Sequence, residues 1–235
     1  MNPRLYLSFL IFLIAMHLAS QKVINTYIQN KNVYIKFDNG RSSKITNLSS
    51  DTLAILSNNK GFVIYLRTKF IKYNKDENKY RKEINVPVDQ IIYYDLHTSK
   101  ERIIIQTVDN DLLSESISND FPELNSKISY ANSKKYNFSN LGTIYKIFIS
   151  PDNTRIYFET SAWTVSYAIH YYVISTKNIY FYSAGSINKI LKNGNLSISI
   201  TGLESDINGN SGRYEQDWLY DKDGKEIKPL TKKKF

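Results

Sequence analysis

The side chains best able to do chemistry in this chain are few and scattered. His97 lies in the short LHTS stretch and His170 between Ile169 and Tyr171, and neither has HExxH or HxH spacing. A zinc site needs three or four ligands at close quarters, so neither histidine announces one. No serine sits in GxSxG, which leaves no ground for choosing a Ser-His-Asp trio. The nine glycines are spread over turns and build no phosphate loop. Asp206, Asn208 and Asn210, with Asp217 beyond, faintly follow an alternating calcium loop. Ser211 stands where its sixth-position glycine belongs, and Asp217 where its glutamate belongs. The expectation is no enzyme, no metal and no cofactor. The rival, an envelope hydrolase or lyase, needs Asp206, Glu215, Asp217 and His170 to converge in one depression.

Aromatic residues carry more signal. The chain holds 19 tyrosines, 11 phenylalanines and 2 tryptophans. Most suit a pleated, half-buried sheet surface. Trp163 differs, because TSAWTVS is a polar connection, and Trp and Tyr in such connections are favoured contact residues. For Trp163, core and recognition roles weigh equally; Trp218, at the start of a strand pair, reads first as a core anchor. His170 reads as packed within a sheet, or as lining a channel with Trp163. The expected contact surface comprises Trp163, Tyr167 and His170 with Arg213, Tyr214 and Trp218.

The elements that must position these residues are strands. Val33, Ile35 and Phe37 alternate with Tyr34 and Lys36, and TIYKIFIS and RIYFET repeat the same period of two. No convincing helical stripe appears beyond the first twenty residues. One strand-turn-strand phrase occurs four times: NVYIKFDNGRSSKIT from Asn32, QIIYYDLHTSKERII from Gln90, AIHYYVISTKNIYFY from Ala168 and QDWLYDKDGKEIKPL from Gln216. Such self-similarity marks stacked supersecondary units that hide their apolar faces only together. Asn193-Gly194 and Asp223-Gly224 suit the positive φ of two-residue hairpins. Pro151 presets φ in SPDN, and Asp152 can close a side-chain turn.

ISPDNTRIYFET followed by YYVISTKNIYFYSAG resembles the blade repeat of TolB-like and WD40-like β-propellers. Ser150, Pro151, Asp152, Ile156, Tyr157 and Phe158 carry that resemblance. In the preceding unit Leu56-Ser57, Lys60 and Tyr94-Asp95-Leu96 match, with Asn58-Asn59 in place of Pro-Asp. SAWTVSYAIH and DWLYDKDGKEIKPL are also similar to small exported bacterial propeller-like proteins. The resemblance implies an all-β, propeller-like array of about four small antiparallel blades, closed or partly open, working as a binding or scaffolding module. The units amount to three full blades and a leading half. Closure by VINTYI completing the last blade is one expectation, and edge-to-edge pairing of two copies another. Thr68–Val88 is a charged insertion expected to project as a hairpin or loop between two strands, and Val108–Asn140 a polar interruption.

Composition sets the setting. MNPR, the apolar run Leu5–Leu18 and Ala19-Ser20 follow the order of a secretory signal peptide, with a retained N-terminal anchor as the alternative. Residues 21–235 then form one domain, with no stable membrane span after cleavage. The absence of cysteine excludes disulfides, a thiol nucleophile and cysteine-ligated metals. It fits a bacterial periplasmic or secreted protein. The net charge of +9 gives a solvated surface or draws in an envelope protein or anionic ligand. Without an arginine-rich stripe among aromatics, nucleic acid is not an expected partner. The oligomeric state is expected to be a monomer or an edge-paired homo-oligomer.

Overall fold

The computed structural model describes residues 21–77, 80–108, 128–129, 143–162, 166–205 and 211–234. The described residues form strands and turns without a helix, in four sheets. Sheet A contains β1 (Val23–Gln29), β2 (Asn32–Phe37) and β3 (Ser42–Lys44). Sheet B contains β4 (Asp51–Leu56), β5 (Phe62–Glu77), β6 (Tyr80–Asp95) and β7 (Lys100–Val108). Sheet C is built from β9 (Ile144–Ile149), β10 (Arg155–Ala162), β11 (Ser166–Val173) and β12 (Asn178–Ala184), with β8 (Ile128–Ser129) parallel to β12 at its edge. Sheet D contains β13 (Ser186–Ile190), β14 (Leu196–Ser205), β15 (Ser211–Tyr220) and β16 (Glu226–Lys234). Apart from β8, each sheet is an antiparallel meander in chain order. This is the propeller-like array the four repeated phrases imply: β2–β3, β6–β7, β11–β12 and β15–β16 are those phrases folded as equivalent hairpins.

Period two explains the stacking. In β10, Ile156 and Phe158 face sheet B, while Tyr157 faces sheet D. Fully burying such a side chain stabilises by about 2–3 kcal/mol. Three clusters fill the junctions: Val33, Ile35, Val63, Tyr65 and Ile92 between A and B, Ile64, Ile91, Ile156 and Phe158 between B and C, and Tyr157, Ile169, Leu196 and Ile198 between C and D. Among the described residues no such cluster joins D back to A. The array is open.

VINTYI does not complete the last blade. It lies in β1 and pairs with β2 across Asn30 and Lys31, with Gln29 opposite Asn32. Both turn residues have positive φ, 50° and 54°, which a two-residue hairpin requires and which fixes the register. The leading unit therefore has three strands rather than half a blade, and β16 supplies the fourth strand of sheet D. The charged insertion extends β5 and β6 as a hairpin, one of the two forms expected of it. The pairing of β5 with β6 runs unbroken from Phe62 opposite Asp95 to Glu77 opposite Tyr80. Of the polar interruption, only Val108 and Ile128–Ser129 belong to described strands.

A buried acidic residue stands at each junction between sheets. Asp89 Oδ2 accepts the N–H of Ile144, at the start of β9, at 3.0 Å, and Asp89 Oδ1 accepts Thr68 Oγ1 at 2.7 Å. Glu159, fully buried, accepts the Ile187 N–H at 2.5 Å and faces Lys146 Nζ at 3.5 Å. At the first junction Asp51, also fully buried, accepts Arg67 Nε at 2.7 Å and donates its own N–H to Lys31 O at 3.0 Å. Each carboxylate satisfies donors that burial would otherwise strand.

One glycine makes the passage from C to D. Gly185 is the single residue between β12 and β13, with φ +113°. A Cβ there would lie 2.5 Å from Ser199 O and 2.9 Å from Ile198 Cγ2. Gly185→Ala is expected to destabilise by about 2 kcal/mol or more, from strained backbone and overlap together. A urea midpoint unchanged from wild type would show that this passage is relaxed.

Candidate interaction surface

The meander sorts connections by end. First and third strands of each four-stranded sheet run toward one end, second and fourth strands run back. The tight turns Asn58-Asn59 and Pro151–Asn153 meet across the B–C junction, where Asn58 N–H donates to Asn153 Oδ1 at 2.8 Å. Asp223 meets Arg155 across the C–D junction at 2.7 Å. These mark the turn end. The opposite, loop end carries the far ends of the β5–β6, β10–β11 and β14–β15 ladders, with the β3–β4 and β12–β13 links.

At the loop end each inner strand carries one bulged residue. Thr52 and Ala54 pair with adjacent residues of β5, leaving Leu53 out; Tyr145 and Asn188 are left out in β9 and β13 in the same way. A bulge frees its extra residue from the ladder and turns it outward. Leu53 is 44% exposed and Tyr145 47%. Tyr167, 43% exposed, meets Tyr145 edge-on with ring centroids 5.2 Å apart. Leu48 and Phe70, 55% and 69% exposed, flank a groove of about 530 Å³ that Lys31, Ser49, Thr52 and Lys69 also line. Sequence reading missed Leu48, Leu53, Phe70 and Tyr145. Leu53 and Tyr145 emerge through bulges that composition does not mark, Phe70 lies on the charged β5–β6 extension, and Leu48 in the link between β3 and β4.

The residues expected from sequence do not all reach this surface. Tyr167 and Arg213 are exposed near the loop end, and Trp163 lies outside the described residues. Tyr214 is half-buried, its ring so close to Gly202 that a Cβ on Gly202 would sit 2.5 Å from Tyr214 Cζ. Trp218 is half-buried against the C–D cluster, a core anchor. His170 must be corrected. It is 1% exposed and lies between Phe158 and Phe181, with Nε2 3.2 Å from Thr160 Oγ1. Period two turns it toward sheet B, away from any surface.

The nominated catalytic group does not assemble. His170 faces sheet B, Glu215 and Asp217 lie on the face of sheet D turned away from sheet C, and Asp206 is outside the described residues. Asp217 instead accepts Asn188 Nδ2 and Thr231 Oγ1, both at 2.9 Å. Among the described residues no group of three His, Asp or Glu side chains is placed to hold a metal.

Turn residues behave as turn devices. Asn193-Gly194 and Asp223-Gly224 close hairpins, with φ of 87° and 88° at the glycines. Burial pushes the Asp152 carboxyl up, but hydrogen bonds from Ser150 and Thr154 outweigh it and hold the group below the usual range. Pro151, Asp152, Asn193, Gly194 and Lys222 border a cavity of about 380 Å³ at the turn end. Arg155 closes its floor, stacked over Tyr171 at 4.9 Å and bonded to Lys222 O and Asp223. An arginine so fully engaged within the protein is poorly placed to serve a ligand.

A second ionic group is internal. Arg67, 3% exposed, bonds Asp51 at 2.7 Å, Glu101 at 3.0 Å and the Tyr65 hydroxyl at 3.1 Å. Burial pushes the Tyr65 phenol well up, helped by its bond to Glu101. Burial also raises the Glu101 carboxyl, but bonds from Arg67 and Tyr65 bring it below its usual range. All four residues belong to sheet B, and Asp51 bonds sheet A through its backbone N–H on Lys31 O.

No known protein family and no curated protein matches the sequence. Solved structures similar to this chain include dipeptidyl peptidase 4 of Porphyromonas gingivalis, at 10% identity and TM-score 0.47 over 88% of this chain and 30% of that one. The β-propeller domain of the Trilobed protease from Pyrococcus furiosus, described as having an open velcro topology, gives 9% identity and TM-score 0.47 over 90% and 57%. TolB from Acinetobacter baumannii gives 10% identity and TM-score 0.25 over 88% and 61%. The chain thus spans less than two thirds of each of these proteins. The propeller-like assignment rests on the four sheets and their three junctions.

Proposed function

We propose that this chain is an exported, propeller-like binding or scaffolding module of the bacterial envelope that engages a protein partner through its loop end. The observation behind this reading is the gathering of Leu48, Leu53, Phe70, Tyr145 and Tyr167, all exposed, at that one end. Exposed apolar side chains scattered singly need no explanation, whereas a group on one face is what an interaction site presents. The net charge of +9 favours an acidic partner. The apolar N-terminal run supports export to the periplasm, with secretion or N-terminal anchoring as the alternative addresses.

The test is capture from envelope extract with wild type, with Phe70→Ser/Tyr145→Ser/Tyr167→Ser, and with Ile227→Ser/Leu230→Ser on sheet D as control. Aromatic anchors contribute about 2 kcal/mol each when central to an interface. The loop-end variant is expected to lose its partner by tenfold or more while the control retains it. Identical partner sets across all three proteins would remove the loop end from the account. Trp163→Ala belongs in the same series, and an unchanged partner set would exclude that residue.

A further inference from the structure

Sheet A differs from its neighbours at its inner edge. In sheets B, C and D an inner strand, β4, β9 or β13, pairs with the second strand of the meander. In sheet A the sequence of directions places β1, β2 and β3 as second, third and fourth strands. Lys31 O, in the β1–β2 turn, accepts the N–H of Asp51 at the start of β4, which sets that turn at the loop end. Among the described residues nothing pairs with the inner side of β1.

Register shows which backbone groups face that side. Val33 donates its N–H to Thr46 Oγ1 at 2.9 Å and accepts Ile45 N at 2.9 Å, so its peptide groups point toward β3. Its partner across the β1–β2 ladder is Ile28, and two residues away Thr26 pairs with Ile35. In an antiparallel pair these are the non-hydrogen-bonded positions, so Ile28 and Thr26 aim N–H and C=O away from β2. Thr26 bears this out, since its N–H is met by Asn25 Oδ1 at 2.8 Å rather than by β2. An Asn side chain folded onto an edge donor is a local plug for an otherwise open edge.

We propose that the inner edge of β1 is a strand-addition site that takes an extended segment of about six residues from a partner protein, completing sheet A as β4, β9 and β13 complete theirs. The chemistry of the segment follows from the faces of β1. Thr26 and Ile28 turn toward the A–B cluster, so the residues opposite them are apolar and spaced by two, as Ala54 and Leu56 are in β4. Tyr27, stacked on Tyr34 at 5.3 Å, turns the other way, so the residue opposite it is polar or aromatic. The site uses a backbone edge and is independent of the loop-end surface.

Amide hydrogen exchange on the full chain tests this directly. The probes are three synthetic peptides with the sequences of residues 51–58, 144–151 and 186–193, which contain the inner strands of the other sheets. In the free chain the Ile28 amide is expected to exchange at least tenfold faster than those of Tyr27 and Gln29, which bond to β2. At least one peptide is expected to slow Ile28 tenfold or more. Ile28→Pro removes a donor the ladder does not use, and is expected to abolish binding of the same peptides, labelled and read by fluorescence anisotropy, while the Tyr27 and Gln29 amides keep their protection and show the β1–β2 ladder intact. Asn25→Ala removes the plug and is expected to tighten peptide binding severalfold. An Ile28 amide already protected in the free chain would overturn the proposal, because the chain would then cover its own edge. Protection that grows with protein concentration alone would also overturn it, in favour of a second copy. So would a failure of all three peptides to slow Ile28 in both wild type and Asn25→Ala.

Discussion

Replacing Arg67 with methionine is expected to destabilise the chain by about 3–5 kcal/mol, the usual effect of removing one partner from a buried ion pair. Asp51 is fully buried, and Arg67 Nε at 2.7 Å is the cation that compensates its charge. With the guanidinium gone, the buried Asp51 carboxylate loses its counter-ion, and both Glu101 and the Tyr65 hydroxyl lose a donor. The double change Asp51→Leu/Arg67→Met is expected to recover most of the loss, because neither charge remains to be desolvated. Urea unfolding midpoints of wild type, single and double variants measure both effects. A single variant as stable as wild type would mean that the A–B junction does not depend on this pair.

The second large effect is a pH dependence. Burial between Phe158 and Phe181 lowers the His170 pKa to about 3. In the unfolded chain the same imidazole titrates near 6.5. Below that pH the unfolded state takes up a proton that the folded state refuses, so folding stability falls as pH drops from about 6.5 toward 3. The slope from this one group approaches about 1.4 kcal/mol per pH unit, several kcal/mol over the window. Carboxylates held low by hydrogen bonds, such as Asp95, Glu101 and Asp152, also lose stability in acid, but below the range where His170 acts first. Comparing stability at pH 7 and pH 5 therefore isolates the histidine. His170→Phe is expected to flatten the profile between those values. Equal losses in wild type and variant would place His170 in water, contrary to its position in β11.

Much of the architecture was legible because period two and turn chemistry are local. Ile156, Tyr157 and Phe158 alternate between two junctions as their spacing implies, and Asn193-Gly194 and Asp223-Gly224 close hairpins with the glycines at positive φ. The fate of VINTYI was not legible, since the turn that binds it to β2 uses Asn30 and Lys31 at positive φ without a glycine to announce it. The contact surface was only partly legible. Tyr167 is exposed, but His170 three residues on is buried, because the alternation that exposes one position sends the opposite face into a junction between sheets. Leu53 and Tyr145 emerge through bulges, one residue of extra length that only the paired strand reveals. Nor could Asp51, Asp89 and Glu159 be told from surface carboxylates, because their donors lie on other strands or on neighbouring sheets.

The central claim is that consecutive meanders stack face to face with their tight turns at a common end. The chain has no cysteine, so an engineered pair reports without background. Asn58 and Asn153 are 95 residues apart in sequence yet bonded across the B–C junction at 2.8 Å. In Asn58→Cys/Asn153→Cys a short bis-maleimide should join the two sites within one molecule in high yield, and denaturation before labelling should abolish it. A folded, monomeric double variant that gives no intramolecular link would contradict the stacking of sheet B on sheet C.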